Sequence, residues 1–178
     1  MENPLLNSKN FGVIILCPDC NYAGLRTTVS SLQSEFPNLN HVAVVGRDAQ
    51  TENVKSLVKY CRVYTGGKTI TSLIDEGMKH LTDAWRLIVI SGSLVRYRII
   101  KKYKLFINNE RDILYPVIDS KYIWDEASIN GILMHQDTYN EVGEFGDDLA
   151  DLKEAKLMWG ARAVELKYHF KAIIGARL

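Results

Sequence analysis

The sequence lacks the features that mark secreted, membrane-spanning and low-complexity chains. It has three cysteines in 178 residues, which are too few and odd in number for a disulfide framework. No apolar run approaches the roughly 18 residues that a membrane-spanning helix needs. The N-terminal segment is polar, and no cleavage-site pattern follows the short apolar run after it, so no secretory signal is expected. We therefore expect a cytoplasmic protein with reduced thiols and no membrane span.

An excess of charge of one sign is missing as well. The chain has 22 basic and 21 acidic residues, a formal net charge of +1, whereas nucleic-acid-binding domains usually carry a strongly basic excess. Nucleic acid is therefore not an expected partner. Apolar residues make up 47% and charged residues 24% of the chain, which is ordinary globular usage and excludes a disordered protein. The length fits one domain, which we expect to span residues 1–178.

What the sequence does have is an alternation of buried strands and amphipathic helices. Residues 11–17 form a continuous apolar run that Pro18 ends, the pattern of a strand covered on both faces. Apolar residues then follow at helical spacing as far as Phe36, which predicts a helix. The same unit recurs, with strands at 41–45, 62–65 and 85–90 and helices around 54–61 and 70–81. Such alternation predicts an α/β fold with a mostly parallel sheet flanked by helices.

The second half of the chain has a less regular pattern. We predict a helix within 93–108, strands over 112–118 and 129–134, a short helix over 137–142, a helix over 148–159 and a last short strand over 163–166. The helix over 148–159 is predicted to end at Trp159, because Gly160 follows it in the usual position of a helix stop.

The loops after the first four strands form the candidate site. Ligands of parallel α/β sheets bind beyond the carboxyl ends of the strands. The loops in question are residues 18–22, 46–51, 66–68 and 91–93, and their side chains are the candidate contacts.

Two cysteines, Cys17 and Cys20, lie at the first of these loops. A Cys-x-x-Cys pair between a strand and a helix is the placement of redox-active thiols, because a helix N-terminus lowers the pKa of a thiol there. The segment resembles the motif of glutaredoxins, so a thiol-disulfide oxidoreductase is one alternative function. In the other interpretation Cys17 is a buried strand-end residue and Cys20 an incidental turn residue. We favour the second, since the chain has no thioredoxin-like second half.

Gly66, Gly67 and Lys68 precede the most regular of the predicted helices. Backbone amides at a helix start, together with a lysine, can hold a phosphate group. The segment matches neither the P-loop nor the dinucleotide-binding pattern. A plain turn is therefore the competing interpretation.

A basic cluster occupies residues 96–104, where five lysines and arginines are interleaved with two tyrosines. Such a cluster could meet a diphosphate, an anionic acceptor or nucleic acid. Most charge runs, however, are solvated helix faces.

An acidic group occupies residues 141–151 and ends at Asp151. Acids at the start of a helix cap it and complement its dipole. A carboxylate in this place could also act as a general base. On the residues alone, capping is the better interpretation.

Taken in order, these segments resemble the inverting glycosyltransferases of the GT-A fold, which use nucleotide-diphospho-sugars as donors. The first loop, Pro18-Asp-Cys-Asn21, is similar to the family's P-x-x-N opening, and residues 66–77 are similar to its G-G-x-x-x-A-R-N-x-G helix. Residues 134–145 are similar to the family's x-x-R-x-x-F-x-x-V-G-G-F segment, and Asp151 follows near its E-D helix. The resemblance covers residues 12–166.

The departures from the family concern mainly the metal. In the family, a D-x-D pair at the end of the fourth strand holds a divalent metal against the donor diphosphate. The matching positions here are Ser91 and Ser93, whose neutral hydroxyls cannot replace two carboxylates. We therefore expect no metal site. The acid after the second strand is displaced to Asp48, and the family's helix asparagine is replaced by Asp75.

The resemblance implies a protein that binds a nucleotide-sugar donor and an acceptor not specified by the sequence. It would be either a metal-independent transferase or a catalytically impaired relative, with residues 11–95 as its nucleotide-binding half and 96–178 as its acceptor-side half. The implied contacts are Pro18, Asn21 and Asp48 to the nucleoside, Lys68 to the diphosphate, Ser91 and Ser93 to the donor, and Asp151 as the base that deprotonates the acceptor hydroxyl. A non-enzymatic binding module on the same scaffold is the remaining alternative.

Overall fold

Seven strands in one sheet organise the molecule. A computed structural model describes residues 11–19, 21–36, 41–47, 61–117, 128–146 and 152–174. The strands are β1 (Phe11–Cys17), β2 (Val42–Gly46), β3 (Arg62–Thr65), β4 (Trp85–Ile90), β5 (Asp112–Val117), β6 (Ile132–His135) and β7 (His169–Ile174). The helices of the described residues are α1 (Tyr22–Glu35), α2 (Ile70–His80), α3 (Tyr97–Phe106), α4 (Gln136–Val142) and α5 (Leu152–Glu165). None of these helices is both long enough and apolar enough to cross a bilayer.

The sheet is mostly parallel, as predicted. Its strand order is β3-β2-β1-β4-β6-β5-β7. Strand β6 runs antiparallel to both of its neighbours, whereas the other pairs, β1–β2, β1–β4, β2–β3 and β5–β7, are parallel. The chain therefore has the α/β fold that the strand-helix alternation predicted.

Helices cover both faces of the sheet and form two hydrophobic cores. Val13 and Ile15 of β1 belong to the core beneath α1 and α3. Ile14 and Leu16 belong to the core beneath α2, α4 and α5. Because successive strand side chains point to opposite faces, burial on both sides requires the continuous apolar run seen in the sequence.

A buried arginine attaches α2 to the sheet. Arg86 of β4 has no exposed surface, and its guanidinium donates to the backbone carbonyl groups of Met78, Leu81 and Asp83. These carbonyls lie at and after the end of α2, where a helix leaves acceptors without internal partners. Burial lowers the pKa of Arg86 to about 10, so the side chain is still a cation at neutral pH and complements the helix dipole.

The end of the chain differs from the prediction. Gly160 does not stop the last helix but is buried inside α5, which continues to Glu165. The strand predicted at 163–166 is therefore wrong, and the last strand is β7. The helix ends where Lys167 adopts a left-handed conformation with φ of 65° and Tyr168 donates its backbone N–H to Ala163 at 2.9 Å, as in a Schellman-type stop.

Candidate functional site

Four loops meet at one edge of the sheet. In the parallel register Cys17 lies beside Gly46, Leu16 beside Ile90, and Gly46 beside Thr65, so β1, β2, β3 and β4 end at one level. Hydrogen bonds between neighbouring ends continue past the strands, from Gly66 N to Gly46 O at 3.1 Å and from Ser91 N to Leu16 O at 2.8 Å. The strand-end edge is defined here as residues 18–19, 21–22, 46–47, 66–68 and 91–93. It unites the described parts of the four loops singled out by the sequence.

The first loop is shaped by helix capping. Asn21 is the N-cap of α1, and its Oδ1 accepts the Gly24 N–H at 3.2 Å. This bond satisfies one of the free donors of the helix start. Asn21 is exposed and Pro18 is half-buried. Any contact of Asn21 with a ligand would thus use its Nδ2 group while Oδ1 holds the helix.

The third loop owes its glycine to packing. A Cβ on Gly66 would lie 2.7 Å from Leu73 Cδ2 and 2.9 Å from Val45 Cγ1, so a side chain at this position would displace the buried side chains of Leu73 and Val45. Thr69 and Ser72 form a capping box that satisfies two backbone N–H groups at the start of α2. These two amides are therefore not free for a phosphate group, which favours the plain-turn interpretation for the backbone. Lys68 is exposed.

The fourth loop, residues 91–93, follows the carboxyl end of β4. Ser93 exchanges hydrogen bonds with Asn130, whose Nδ2 donates to Ser93 Oγ at 2.9 Å. Asn130 Oδ1 accepts the Ile90 N–H at 2.8 Å. Gly92, between the two serines, has φ of 98°, a conformation that favours glycine. The loop is thus held to both β4 and the segment before β6.

One face of α1 fixes the chain that follows this loop. Gly92 N donates to Gly24 O and to Thr28 Oγ1, at 3.0 and 2.9 Å. One and two turns further along the same helix face, Ser31 Oγ accepts the Val95 N–H at 3.1 Å and Glu35 accepts the Tyr97 N–H at 3.1 Å. A polar stripe on α1 therefore positions the fourth loop and the residues that follow it.

A buried carboxylate holds the loop that leads towards the acidic segment. Asp75 of α2 is 5% exposed, and it accepts three hydrogen bonds, from Tyr139 Oη at 2.8 Å, Phe145 N at 3.0 Å and Gly146 N at 3.1 Å. Burial raises the pKa of Asp75, while these three bonds act in the opposite direction. Asp75 thus ties α2 to the residues immediately before the segment that contains Asp151.

Several predicted site residues are not covered by the structure. Asp48, Asp151 and Cys20 lie outside the described residues, so their roles remain predictions. Cys17 is buried at the end of β1 with 1% exposure, as the continuous apolar run predicted. Within the described ranges, no group of three or more His, Cys, Asp or Glu side chains could hold a metal ion.

The sequence analysis missed Asn130, Thr28 and Ser31. Each makes a contact to a residue more than 30 positions away. No local pattern marks these partners, because only the strand order places them near the fourth loop. The serines and threonine at helical spacing on α1 were the one available signal, and they read equally well as a solvated face.

The fold is shared with solved structures of several transferases. The mannosyltransferase PcManGT from Pyrobaculum calidifontis, solved with GDP-Man and Mn²⁺, has a TM-score of 0.69 and 11% identity, over 94% of this chain and 56% of that one. The 4-diphosphocytidyl-2C-methyl-D-erythritol synthase from Anaerococcus prevotii has a TM-score of 0.69 and 13% identity, over 97% and 92%. The bifunctional IspDF from Campylobacter jejuni has a TM-score of 0.63 and 9% identity, over 93% and 50%.

These comparisons define a fold class. No protein-family model and no curated protein matches the sequence. The chain spans about half the length of IspDF and of the mannosyltransferase. At such low identities the likeness concerns the fold alone. The protein has a GT-A-like α/β fold, with a mostly parallel seven-stranded sheet flanked by helices.

Proposed function

We propose that this protein binds a nucleotide sugar at the strand-end edge and is a glycosyltransferase-like protein. The observation that carries the proposal is the convergence of the four loops at the carboxyl ends of β1 to β4. Sheets of this kind bind ligands there. The neighbouring structure with GDP-Man supports the choice of ligand class.

The proposed contacts follow from the chemistry of each loop. Lys68 is an exposed cation and would meet the diphosphate as a point charge. Pro18 and Asn21 border the first loop and would, with Asp48, shape the nucleoside pocket. The acceptor would be bound by the second half, residues 96–178.

The described residues do not fit a divalent metal. Mg²⁺ and Mn²⁺ prefer anionic oxygen ligands, but the fourth loop offers two neutral hydroxyls, and Ser93 is engaged with Asn130. We propose that Ser91 and Ser93 line the donor pocket as hydrogen-bonding groups. Lys68 would then supply positive charge to the diphosphate, and binding should weaken as salt is added.

Asp151 would act as the general base that deprotonates the acceptor hydroxyl. A carboxylate beside the acceptor hydroxyl can take its proton as the bond to the sugar forms. The support for this role is indirect: Asp75, Phe145 and Gly146 fix the chain a few residues before it. Without that proton acceptor the protein would bind donor but not transfer it.

A thermal-shift series tests the proposal. The nucleoside diphosphates of uridine, guanosine and cytidine, and the nucleotide sugars of the same three nucleosides, are added with and without Mn²⁺. A ligand that binds only the folded state stabilises it by about 2.7 kcal/mol when present at about 100 times its Kd. The Tm of the protein should therefore rise with the nucleotides of one base, and it should rise by the same amount with and without Mn²⁺.

The matched variants are Lys68→Ala at the strand-end edge and Lys153→Ala on α5, both exposed. The first should lose the shift and the second should keep it. If no nucleotide or nucleotide sugar raises Tm at millimolar concentration, or if both variants respond like the wild type, the proposed site is wrong.

A further inference from the structure

The two helix layers that cover the sheet carry opposite charge. The first layer comprises α1, residues 91–96 and α3, and we call it the basic layer; it has six basic residues and one acidic residue. The second layer comprises α2, α4, α5 and residues 143–146, and it has seven acidic and four basic residues. The formal net charge of +1 therefore conceals a molecule that is cationic on one face.

Helix α3 presents the densest part of this charge to solvent. Its buried side chains, Ile99, Ile100 and Tyr103, face the core. Arg98 and Lys101 lie on the opposite side of the helix and are exposed. Neither forms an ion pair with any residue in the described part of the chain. Their charges are thus available to a partner.

Large apolar side chains lie among these cations. Leu105, on the same outer side as Arg98 and Lys101, is 74% exposed. Leu94 and Tyr97, just before and at the start of α3, are 44% and 48% exposed. Cations mixed with exposed apolar residues are typical of helices that lie on membrane surfaces.

We propose that the outer face of α3 binds the surface of a bilayer that contains anionic phospholipid. Arg98 and Lys101 would meet the phosphate groups, and Leu94, Tyr97 and Leu105 would enter the boundary between headgroups and acyl chains. Aliphatic side chains have no comparable place against the phosphate backbone of nucleic acid, where contacts are mainly polar. The proposal does not depend on nucleotide binding, since none of these residues belongs to the strand-end edge.

Exposed apolar surface alone does not explain the choice of α3. Helix α5 in the second layer also exposes Leu157, Met158 and Val164, at 54%, 51% and 61%. The exposed charges of that helix balance, with Lys153 and Arg162 against Glu154 and Glu165, while Lys156 is buried. It serves as the internal comparison, because it has the apolar component without the charge.

Vesicle co-sedimentation of the full chain tests the proposal. The protein is mixed with phosphatidylcholine vesicles and with vesicles in which about one third of the lipid is phosphatidylglycerol. Each cation near such a surface strengthens binding roughly fivefold. Binding should therefore be confined to the anionic vesicles and should fall as salt is added.

Two pairs of variants locate the surface. The double variant Arg98→Gln/Lys101→Gln should weaken binding about 25-fold, whereas Lys153→Gln/Lys167→Gln, with the same loss of charge, should leave it within about twofold. Leu105→Ser should weaken binding several-fold and Leu157→Ser should not. The substituted residues are all exposed: Arg98, Lys101, Lys153, Lys167, Leu105 and Leu157. Each variant should therefore unfold at the temperature of the wild type, and thermal unfolding checks this.

Three results would overturn the proposal. The first is equal binding to neutral and anionic vesicles. The second is an equal loss in the variants of α3 and in their controls. The third is no vesicle binding together with an Arg98- and Lys101-dependent gel shift of duplex RNA or DNA, which would assign the surface to nucleic acid.

Discussion

At the scale of single residues, Asp75 shows how one buried carboxylate holds a loop in place. Three donors converge on it, one hydroxyl and two backbone N–H groups, and both carboxylate oxygens accept. An asparagine at this position would turn one of these acceptors into a donor. At least one N–H···O bond would then be replaced by a contact between two donors.

The variant Asp75→Asn should therefore be less stable than the wild type by about 1–3 kcal/mol, since a buried donor is left without an acceptor. Urea denaturation measures the change. The neighbouring variant Glu76→Gln removes a partly exposed pair with His80 and should lose only about 0.5 kcal/mol. Equal stability of Asp75→Asn and the wild type would show that the three bonds do not discriminate between the two side chains.

Asp112 gives a prediction of pH dependence. Burial alone would raise the pKa of this carboxyl, but hydrogen bonds from Lys171, Asn108 N and Asn109 N overcome that effect and hold it below its usual range. The folded state thus binds the proton less tightly than the unfolded state. The stabilisation is present above the ordinary pKa of about 4 and is lost as pH falls towards the lowered value.

The variant Asp112→Asn should consequently be less stable than the wild type at pH 7, with a difference that shrinks towards pH 3. Urea denaturation across this range measures it, with the exposed Glu110→Gln as the control. His169, whose Nδ1 lies 3.6 Å from Asp112 Oδ1, faces the same carboxyl. A difference that does not change with pH would contradict the lowered pKa.

At the scale of elements, Gly77 determines how closely α2 packs on the sheet. A Cβ at this position would lie 2.4 Å from Ile14 Cγ2 in β1. Alanine would favour the helix by about 1 kcal/mol over glycine, but overpacking of a close-packed core costs about 1–3 kcal/mol. At 2.4 Å something must shift, and Ile14 is fully buried in the core, so overpacking should outweigh the helix propensity.

We expect Gly77→Ala to lower the free energy of unfolding, and Gly24→Ala in α1 to change it little. The nearest atom to a Cβ at Gly24 is Gly92 N at 3.3 Å, so the loop has to move by only a few tenths of an ångström, and the gain of about 1 kcal/mol in helix propensity offsets that cost. Thermal and urea unfolding of both variants provide the measurement. A Gly77→Ala protein as stable as the wild type would mean that α2 can move outward without loss.

The sequence predicted the strands that are buried on both faces and the helices that have one regular apolar face. Continuous apolar runs predicted β1, β2 and β4, and spacing predicted α1 and α2. Gly160 misled the analysis because a glycine buried within a helix and a glycine that ends one look alike in sequence. The actual stop uses Lys167, a residue with no special preference for a left-handed conformation.

At the scale of the whole molecule, the candidate site could be located from the sequence but not completed. Strand-helix alternation places the loops at one edge, and Pro18, Lys68 and Ser91 lie at that edge in the structure. Their role as ligand contacts stays a prediction. The partners that fix the fourth loop, Thr28 and Asn130, come from α1 and from the segment before β6. Such contacts depend on strand order across the full sheet, and spacing along the chain does not encode it.

Whether a nucleotide binds at the strand-end edge together with a metal ion depends on the ligands that the loops provide. Adding carboxylates to the fourth loop tests this dependence. The double variant Ser91→Asp/Ser93→Asp would place two carboxylates after β4, with Asn130 Nδ2 still able to donate to the second. Without metal these carboxylates should repel a diphosphate and weaken nucleotide binding. With Mn²⁺, whose preferred ligands are anionic oxygens, binding should recover, so calorimetry should show at least a tenfold metal dependence that the wild type lacks.

The control for this variant is Ser30→Asp/Ser34→Asp, which adds the same charge on the exposed outer face of α1. It should bind nucleotide much as the wild type does and remain indifferent to Mn²⁺, because two carboxylates away from the diphosphate cannot share a metal with it. A wild-type protein that binds a nucleoside diphosphate tightly only with Mn²⁺ would contradict the argument. It would place the ligands outside the described residues, with Asp48 and Asp151 as the first side chains to replace.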